Sequence, residues 1–164
     1  MKYLQNGSFR SKPLMRLTLV ASLIFLTGFW LTTAVMFFSK LGFTPADIAA
    51  YYRGSEAEFT LPRTFGSMLE VTHGHLPVMA MVALLLTHLF IFTPYSTGVK
   101  KTMILTLFGS AFVSEAASWL VRFVHPAFAW LKLAAFYALE ISLLFIIYAL
   151  VRLLFIPPPS KNKK

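Results

Sequence analysis

Three histidines of this chain lie near the ends of long apolar stretches, where imidazoles could bind a cofactor. His73 and His75 lie near the start of one stretch, and His125 lies in the short connection between two others. Two or three imidazoles that converge between helices can ligate a b-type haem or a metal ion. We therefore interpret His73, His75 and His125 as candidate cofactor-binding residues. The pattern favours haem b and indicates no particular metal.

Three further charged residues are expected at the same depth as these histidines. Glu70, Arg122 and Lys132 would complete an outer polar cluster. A structural interpretation is also available. Ser67 and Glu70 have the spacing of a capping box, and long basic side chains can extend from an apolar surface to water. The residue types alone favour neither interpretation.

Helical geometry narrows the choice of haem ligands. A helix through this region places one set of residues on a single stripe, which we predict to face the bundle interior: Glu70, His73, Pro77, Ala80, Leu84, Thr87 and His88. His75 falls on nearly the opposite side and is predicted to point towards lipid or a partner protein. Since His88 lies roughly 20 Å deeper than His75 along the helix, the expected haem ligands are His73 and His125.

A second candidate group consists of polar residues near the middle of the apolar stretches. Glu115, Glu140 and His88 belong to it. Carboxylates at membrane depth are rare and are typical of a proton relay, a cation site or a quinone contact. If the two glutamates approached each other, they would be expected to share a proton. The alternative is that they only hold helices together.

Several classes of chemistry are excluded by what the chain lacks. It has no cysteine, so disulfides, iron–sulfur clusters and cysteine nucleophiles are absent. It also has no glycine-rich phosphate loop, no G-x-S-x-G elbow and no H-E-x-x-H motif. We assign no catalytic residue, and an enzyme acting on its own is not expected.

These residues must be positioned by membrane-spanning helices. The chain has 164 residues, of which 57% are hydrophobic. Four apolar runs, at 14–38, 68–93, 103–124 and 127–156, are each long enough to cross a bilayer. The predicted fold is an all-α integral membrane protein, a four-helix transmembrane bundle forming one membrane domain over 1–164.

The distribution of charge predicts the orientation of the spans. Basic residues without acids occupy the N-terminal segment, the connection at 100–101 and the C-terminal region. The connection at 39–67 instead holds acids and bases. Since basic segments are retained on the cytoplasmic side, both termini are predicted to be cytoplasmic and the loop 39–67 external, in a bacterial inner membrane. Thr44-Pro45-Ala46-Asp47 predicts a short amphipathic helix in that loop, and the tail 157–164 is predicted to be disordered.

Together these features favour a membrane subunit of a bacterial electron-transfer system that binds one b-type haem or a quinone near the external face. Two alternatives remain: an accessory or assembly subunit without a cofactor, and a small proton, cation or metal transport component that uses the mid-membrane glutamates. Expected partners are the lipid bilayer and other membrane or periplasmic proteins. Nucleic acid is not expected, because the bases flank apolar runs.

Overall fold

Five α-helices and no β-strand occur in residues 12–155, the part of the chain that the computed structural model describes. In chain order the helices are α1 Pro13–Leu41, α2 Pro45–Arg53, α3 Phe65–Phe90, α4 Thr97–Phe123 and α5 Phe128–Phe155. All except α2 are long and apolar enough to cross a membrane. The predicted fold class, an all-α membrane bundle of four spans with a short helix between the first two, is confirmed. The predicted disordered tail, 157–164, lies outside the described residues.

Polar caps set where two of the spans, α3 and α4, begin. The Thr64 hydroxyl accepts a hydrogen bond from the Ser67 backbone N–H at 3.1 Å, so α3 begins at Phe65. The predicted capping box of Ser67 and Glu70 is therefore wrong, because the helix has already started and Glu70 lies in its second turn. Ser96 caps α4 in the same way as Thr64 caps α3.

Helix α2 begins at the predicted Thr44-Pro45-Ala46-Asp47 segment, where Thr44 and Asp47 form a capping box. The Asp47 carboxylate accepts from the Thr44 backbone N–H at 2.9 Å, and the Thr44 hydroxyl accepts from the Asp47 N–H at 3.2 Å. These hydrogen bonds from Thr44 hold the pKa of Asp47 below its usual value. The helix stops at Gly54, whose φ of 82° suits glycine. Ile48 and Tyr52 are buried and fix α2 on the end of the bundle, which we call the α2 end.

The helices α4 and α5 form the centre of the bundle. In their most apolar stretches 44% of the residues are buried, against 11% for α1 and α3. Small side chains allow α4 to approach its neighbours closely; the buried ones are Ser110, Ala111, Ser114, Ala117 and Ser118. The α1 helix joins this centre through the Trp30 indole, which donates to the Glu140 backbone carbonyl at 3.2 Å.

The stripe on α3 that we predicted to face the bundle interior instead faces outward. Its members Glu70, His73, Pro77, Ala80, Leu84 and His88 are exposed, and only Thr87 is buried. The buried side of α3 is formed by Met68, Ala83, Leu86, Thr87 and Phe90. Helical spacing identifies correctly which residues share one stripe of the helix. It does not say whether that stripe faces the bundle interior or the lipid, because both surroundings are apolar.

Candidate functional site

The side chain of Glu115 lies at the centre of a buried polar cluster between α3 and α4. This side chain is only 9% exposed. Its Oε1 accepts a hydrogen bond from the Thr72 hydroxyl at 2.5 Å, and its Oε2 lies 3.3 Å from His75 Nδ1. Thr72 and His75 are three residues apart on α3 and therefore face the same neighbour. One carboxylate of α4 is thus held by two side chains of α3.

The Trp119 indole orients the Thr72 hydroxyl. Its Nε1 donates to Thr72 Oγ1 at 2.9 Å, so the threonine proton is left to donate to Glu115. The His75 side chain remains 51% exposed beside this buried pair. The carboxylate is therefore enclosed while the imidazole stays accessible from outside the bundle.

A buried lysine lies behind the carboxylate. Lys132 Nζ donates to both the backbone carbonyl and the hydroxyl of Ser114, at 3.0 Å each. Its positive charge attracts the neighbouring Glu115. The predicted alternative, in which Lys132 extends to the membrane surface, is wrong because the amine is bonded inside the bundle. We call the residues Thr72, His75, Ser114, Glu115, Trp119 and Lys132 the Glu115 cluster.

Helix α2 closes the bundle beside this cluster. The Tyr52 hydroxyl lies 3.0 Å from the Ser118 hydroxyl, and the Arg53 guanidinium donates to the Val121 carbonyl at 3.2 Å. Burial raises the pKa of Tyr52 to about 12. Tyr52 therefore remains a neutral hydroxyl at any physiological pH.

The chemistry of this arrangement follows from the two nitrogens of His75. A carboxylate beside Nδ1 favours the tautomer in which Nδ1 carries the proton, and the lone pair then lies on Nε2. Such an imidazole can accept a hydrogen bond or a proton from a ligand, with Glu115 stabilising the charge. The prediction that His75 points away from the bundle is wrong, because it contacts α4.

The other two candidate histidines do not join the cluster. His73 is exposed on the outward stripe, so the predicted ligand pair of His73 and His125 is not formed inside the bundle. His125 Nδ1 accepts a hydrogen bond from the Ala127 backbone N–H at 3.1 Å. His125 therefore stabilises the turn between α4 and α5.

The charged residues Glu70 and Arg122 also lie apart from Glu115. Glu70 is exposed on the same face of α3 as His73. Arg122 Nε donates to the Arg63 backbone carbonyl at 2.6 Å, and its guanidinium lies 4.9 Å from the Phe123 ring centroid. Of the predicted outer polar cluster, only His75 and Lys132 take part in the Glu115 cluster.

The three predicted mid-membrane residues, Glu115, Glu140 and His88, do not contact one another either. Both carboxylate oxygens of Glu140 are buried without a hydrogen-bond partner among the described residues. Glu115 instead bonds to α3, so the two acids do not pair. His88 is exposed, with its ring 5.7 Å from that of Phe92. Within residues 12–155 no three histidine or acidic side chains are grouped so that they could hold a metal ion.

Comparison with known proteins assigns the chain to a family. Residues 42–162, more than half of the chain, match the model of Aq_1264_TM, which is described as a transmembrane helical domain. The chain belongs to the Aq_1264_TM family. No curated protein and no solved structure matches it.

The region matched by the Aq_1264_TM model contains every residue of the Glu115 cluster. It runs from α2 through α5 and leaves out α1, Pro13–Leu41. A member of this family with four apolar helices is a multi-pass membrane protein, and its exposed apolar side chains contact lipid.

Three of the site residues were not identified from the sequence. Thr72, Ser114 and Trp119 are uncharged and read as ordinary packing residues in an apolar helix. The available signal was spacing, because Thr72 lies three residues from His75 and Trp119 lies four from Glu115. That spacing gives the face of each helix but not the depth at which two helices meet.

Proposed function

We propose that this protein is a membrane subunit of a bacterial electron-transfer system and that it binds a quinol or quinone at His75. One observation carries the proposal: a half-exposed imidazole whose Nδ1 lies 3.3 Å from the buried carboxylate of Glu115. Such a pair is suited to a ligand that gives up a proton. The exposed side of the imidazole leaves room for a ligand ring.

The hydrogen bonds of the site give each atom a role. Nδ1 of His75 donates to Glu115, and Nε2 accepts from the ligand hydroxyl. When the hydroxyl proton moves to Nε2, the Nδ1 proton can pass to Glu115, so the imidazole returns to neutrality. Thr72 and Lys132 hold the carboxylate in place throughout. This relay takes one of the two quinol protons; the second is released to water at the membrane surface, and both electrons pass to a separate acceptor protein.

The surroundings of His75 support a ligand that arrives from the bilayer. Only 11% of the most apolar stretch of α3 is buried within the bundle, so His75 is reached from the lipid side of the helix. A quinone is apolar and carries two hydrogen-bonding oxygens on its ring. A quinone therefore fits a site with one polar side chain, His75, in an apolar surface better than a hydrated cation does.

A b-type haem is less well supported by the same hydrogen bonds. Because His125 Nδ1 accepts from the Ala127 N–H, Nε2 of a neutral imidazole carries the proton and offers no lone pair to iron. Ligation would require His125 to give up its bond in the turn. His73, the other predicted ligand, lies on the outward face of α3.

We infer that the protein lies in the bacterial inner membrane with both termini in the cytoplasm. Bases and no acids occur at the end of the bundle opposite α2, namely Lys12, Arg16, Lys100, Lys101 and Arg152. The acids Asp47, Glu56 and Glu58 occur at the α2 end. This asymmetry supports an external α2 end, and on that orientation we infer that His75 lies near the external face.

The test is to measure the bound quinone directly. The protein is purified in mild detergent, and its lipid extract is analysed by chromatography for wild type, His75→Ala, Glu115→Gln and His88→Ala. His88 is the matched control, an exposed histidine on the same helix. We expect quinone in wild type and His88→Ala and about two- to ten-fold less in the other two, since the neutral hydrogen bond between Nε2 of His75 and the ligand hydroxyl contributes about 0.5–1.5 kcal/mol. Equal quinone in all four, or none in wild type, contradicts the proposal.

A second candidate function is that of an accessory subunit whose cluster only joins helices. It is favoured by the fact that Thr72, Trp119, Lys132 and Ser114 all have hydrogen-bond partners inside the bundle. In that case neither quinone nor a b-type absorption band accompanies the purified protein. His75→Ala then lowers stability without removing any ligand.

A further inference from the structure

An apolar cavity lies at the end of the bundle opposite α2, between α1, the end of α3 and α5. Its volume is about 330 Å³, and sites for small molecules typically occupy about 300–1,000 Å³. The lining side chains are apolar except for Thr18; they include Leu14, Leu19, Leu23, Leu89 and Leu150. The Thr18 hydroxyl donates to the Leu14 backbone carbonyl at 3.0 Å. Among the described lining residues no side-chain donor is left free, so the cavity suits a hydrocarbon chain.

A hydrocarbon chain can enter this cavity from the surrounding lipid. Leu14 and Thr18 form part of its α1 wall, and both are exposed. The hydrocarbon region of a bilayer contains no water that could fill such a space instead. The occupant is therefore either a chain of the bulk lipid or the apolar part of a specific ligand.

An apolar stripe on α3 leads from His75 to the cavity. Its members follow His75 in steps of three and four residues: Val78, Val82, Leu85, Leu89 and, just after the helix, Phe92. From His75 to Leu89 these side chains lie within about 80° of one another around the helix. All of them are exposed or partly exposed. Since Leu89 and Phe92 line the cavity, the stripe and the cavity form one continuous apolar surface that begins at His75.

We infer, on the basis of the proposed quinone site at His75, that this surface binds the tail of the quinone and that the ligand is therefore a long-tailed quinone of the membrane. His75 and Leu89 lie about 21 Å apart along α3, so only a tail of about that length reaches the cavity. The hydrogen bond at His75 fixes the ring end of the ligand and keeps its tail near the stripe. A chain of the bulk lipid has no such anchor.

Tail length tests this inference. Tritiated ubiquinone with a full-length isoprenoid tail is compared in liposomes with an analogue that has a single isoprene unit, and binding is expressed against the quinone concentration within the membrane. A tail that leaves lipid for the cavity gains only dispersion contacts, so we expect the long-tailed quinone to bind wild type about three- to ten-fold more tightly. Equal affinities for wild type, with both weakened in His75→Ala, would overturn the tail site and leave the proposed function standing. Absence of binding by either quinone would overturn both.

Filling the cavity is the second test. Thr18→Phe places a ring in the wall of the cavity, and Leu17→Phe is the matched control, because Leu17 is an exposed neighbour that does not line it. We expect Thr18→Phe to weaken binding of the long-tailed quinone about three- to ten-fold. Its affinity for the short-tailed quinone should be unchanged, which also shows that the ring site is intact. Leu17→Phe should bind both quinones as wild type does. Equal losses in the two variants, or no loss in Thr18→Phe, would overturn the tail site.

Photolabelling locates the tail directly. A ubiquinone analogue with a diazirine at the far end of its tail is expected to label residues 14–23 and 150–154, and excess long-tailed ubiquinone should suppress this labelling. A phospholipid with a diazirine in its acyl chain tests the alternative occupant. Quinone label spread evenly over the lipid-exposed helices, or lipid label in the cavity that ubiquinone does not displace, would overturn the proposal.

Discussion

At the scale of single residues, the two glutamates inside the bundle meet opposite surroundings. Glu115 is bonded to Thr72 and His75 and lies near the charge of Lys132. Glu140 is equally buried, but both of its carboxylate oxygens lack a partner among the described residues. A buried polar group stabilises a fold only when its hydrogen bonds are made, so the two side chains should respond differently to replacement.

The first prediction compares leucine substitutions at these two positions. Glu115→Leu leaves the Thr72 hydroxyl and His75 without their acceptor and removes the opposite charge beside the buried Lys132, so we expect a loss of about 3 kcal/mol in the free energy of unfolding. Glu140→Leu removes an unpartnered carboxyl from an apolar site and should raise that free energy by about 1–2 kcal/mol. The free energy of unfolding of each variant is measured by reversible unfolding in detergent micelles. A destabilised Glu140→Leu would indicate that the carboxyl has a partner.

The second prediction concerns Tyr52 and pH. Because burial raises the pKa of Tyr52 to about 12 against 10.0 for a free tyrosine, the folded state holds this proton more tightly than the unfolded state does. Its contribution is complete below pH 10 and decreases as the pH rises towards 12. We expect about 3 kcal/mol to be lost across that window in wild type beyond the loss in Tyr52→Phe. Identical pH profiles for the two proteins would contradict the assignment.

At the scale of helices, α2 is positioned by its two ends as much as by its buried side chains. Its first turn is fixed by the reciprocal bonds of Thr44 and Asp47. Its last residue is followed by Gly54, with a φ of +82° that a residue with a Cβ rarely adopts. A Cβ at Gly54 would also lie 2.6 Å from the Thr60 backbone oxygen. A residue with a Cβ at position 54 would therefore be strained in its backbone and crowded by Thr60.

The third prediction uses this glycine and a matched one. Gly54→Ala combines backbone strain with a collision against Thr60, so we expect a loss of about 1–3 kcal/mol in the free energy of unfolding. Gly109→Ala is the control, because a Cβ at Gly109 in α4 would meet nothing within 4 Å. Gly109→Ala should leave the free energy of unfolding unchanged or raise it by up to about 1 kcal/mol. Equal effects at the two positions would show that the turn after α2 can adapt.

The fold was largely predictable from the sequence, because hydropathy over about 20 residues reports a spanning helix directly. The start of α2 was predictable as well, since Thr44 and Asp47 form a local pattern. The start of α3 was not. Thr64 and Ser67 both have side chains that can cap a helix, and hydropathy does not distinguish them.

The site was predicted only in part, for a physical reason. In water an apolar stripe must face the core, whereas in a bilayer both the core and the lipid are apolar. The residues His73 and Glu70 were therefore assigned to the wrong side of α3. His75 and Glu115 were each identified as candidates, but their contact depends on how far α3 slides along α4. Nothing in either helix alone fixes that register.

At the scale of the whole molecule, charge separates the two ends of the bundle. This leads to the fourth prediction, which concerns topology. A reporter fused after Lys164 should report a cytoplasmic position, and one inserted near Glu56 an external one, because basic segments are retained in the cytoplasm. Exchanging Lys100 and Lys101 for glutamate should weaken this preference. An external signal from the C-terminal fusion would contradict a four-span orientation with both termini inside.

The buried bond between Lys132 and Ser114 also has a consequence for how the protein enters the membrane. If α5 were inserted alone, the Lys132 ammonium would cross the hydrocarbon region unpaired, at a cost of about 3 kcal/mol. The two helices are joined by only four residues, 124–127. A hairpin that leaves the translocation channel as one unit would already hold the amine against Ser114. Biogenesis is therefore expected to release α4 and α5 together, with α4 waiting at the channel until its partner has been synthesised.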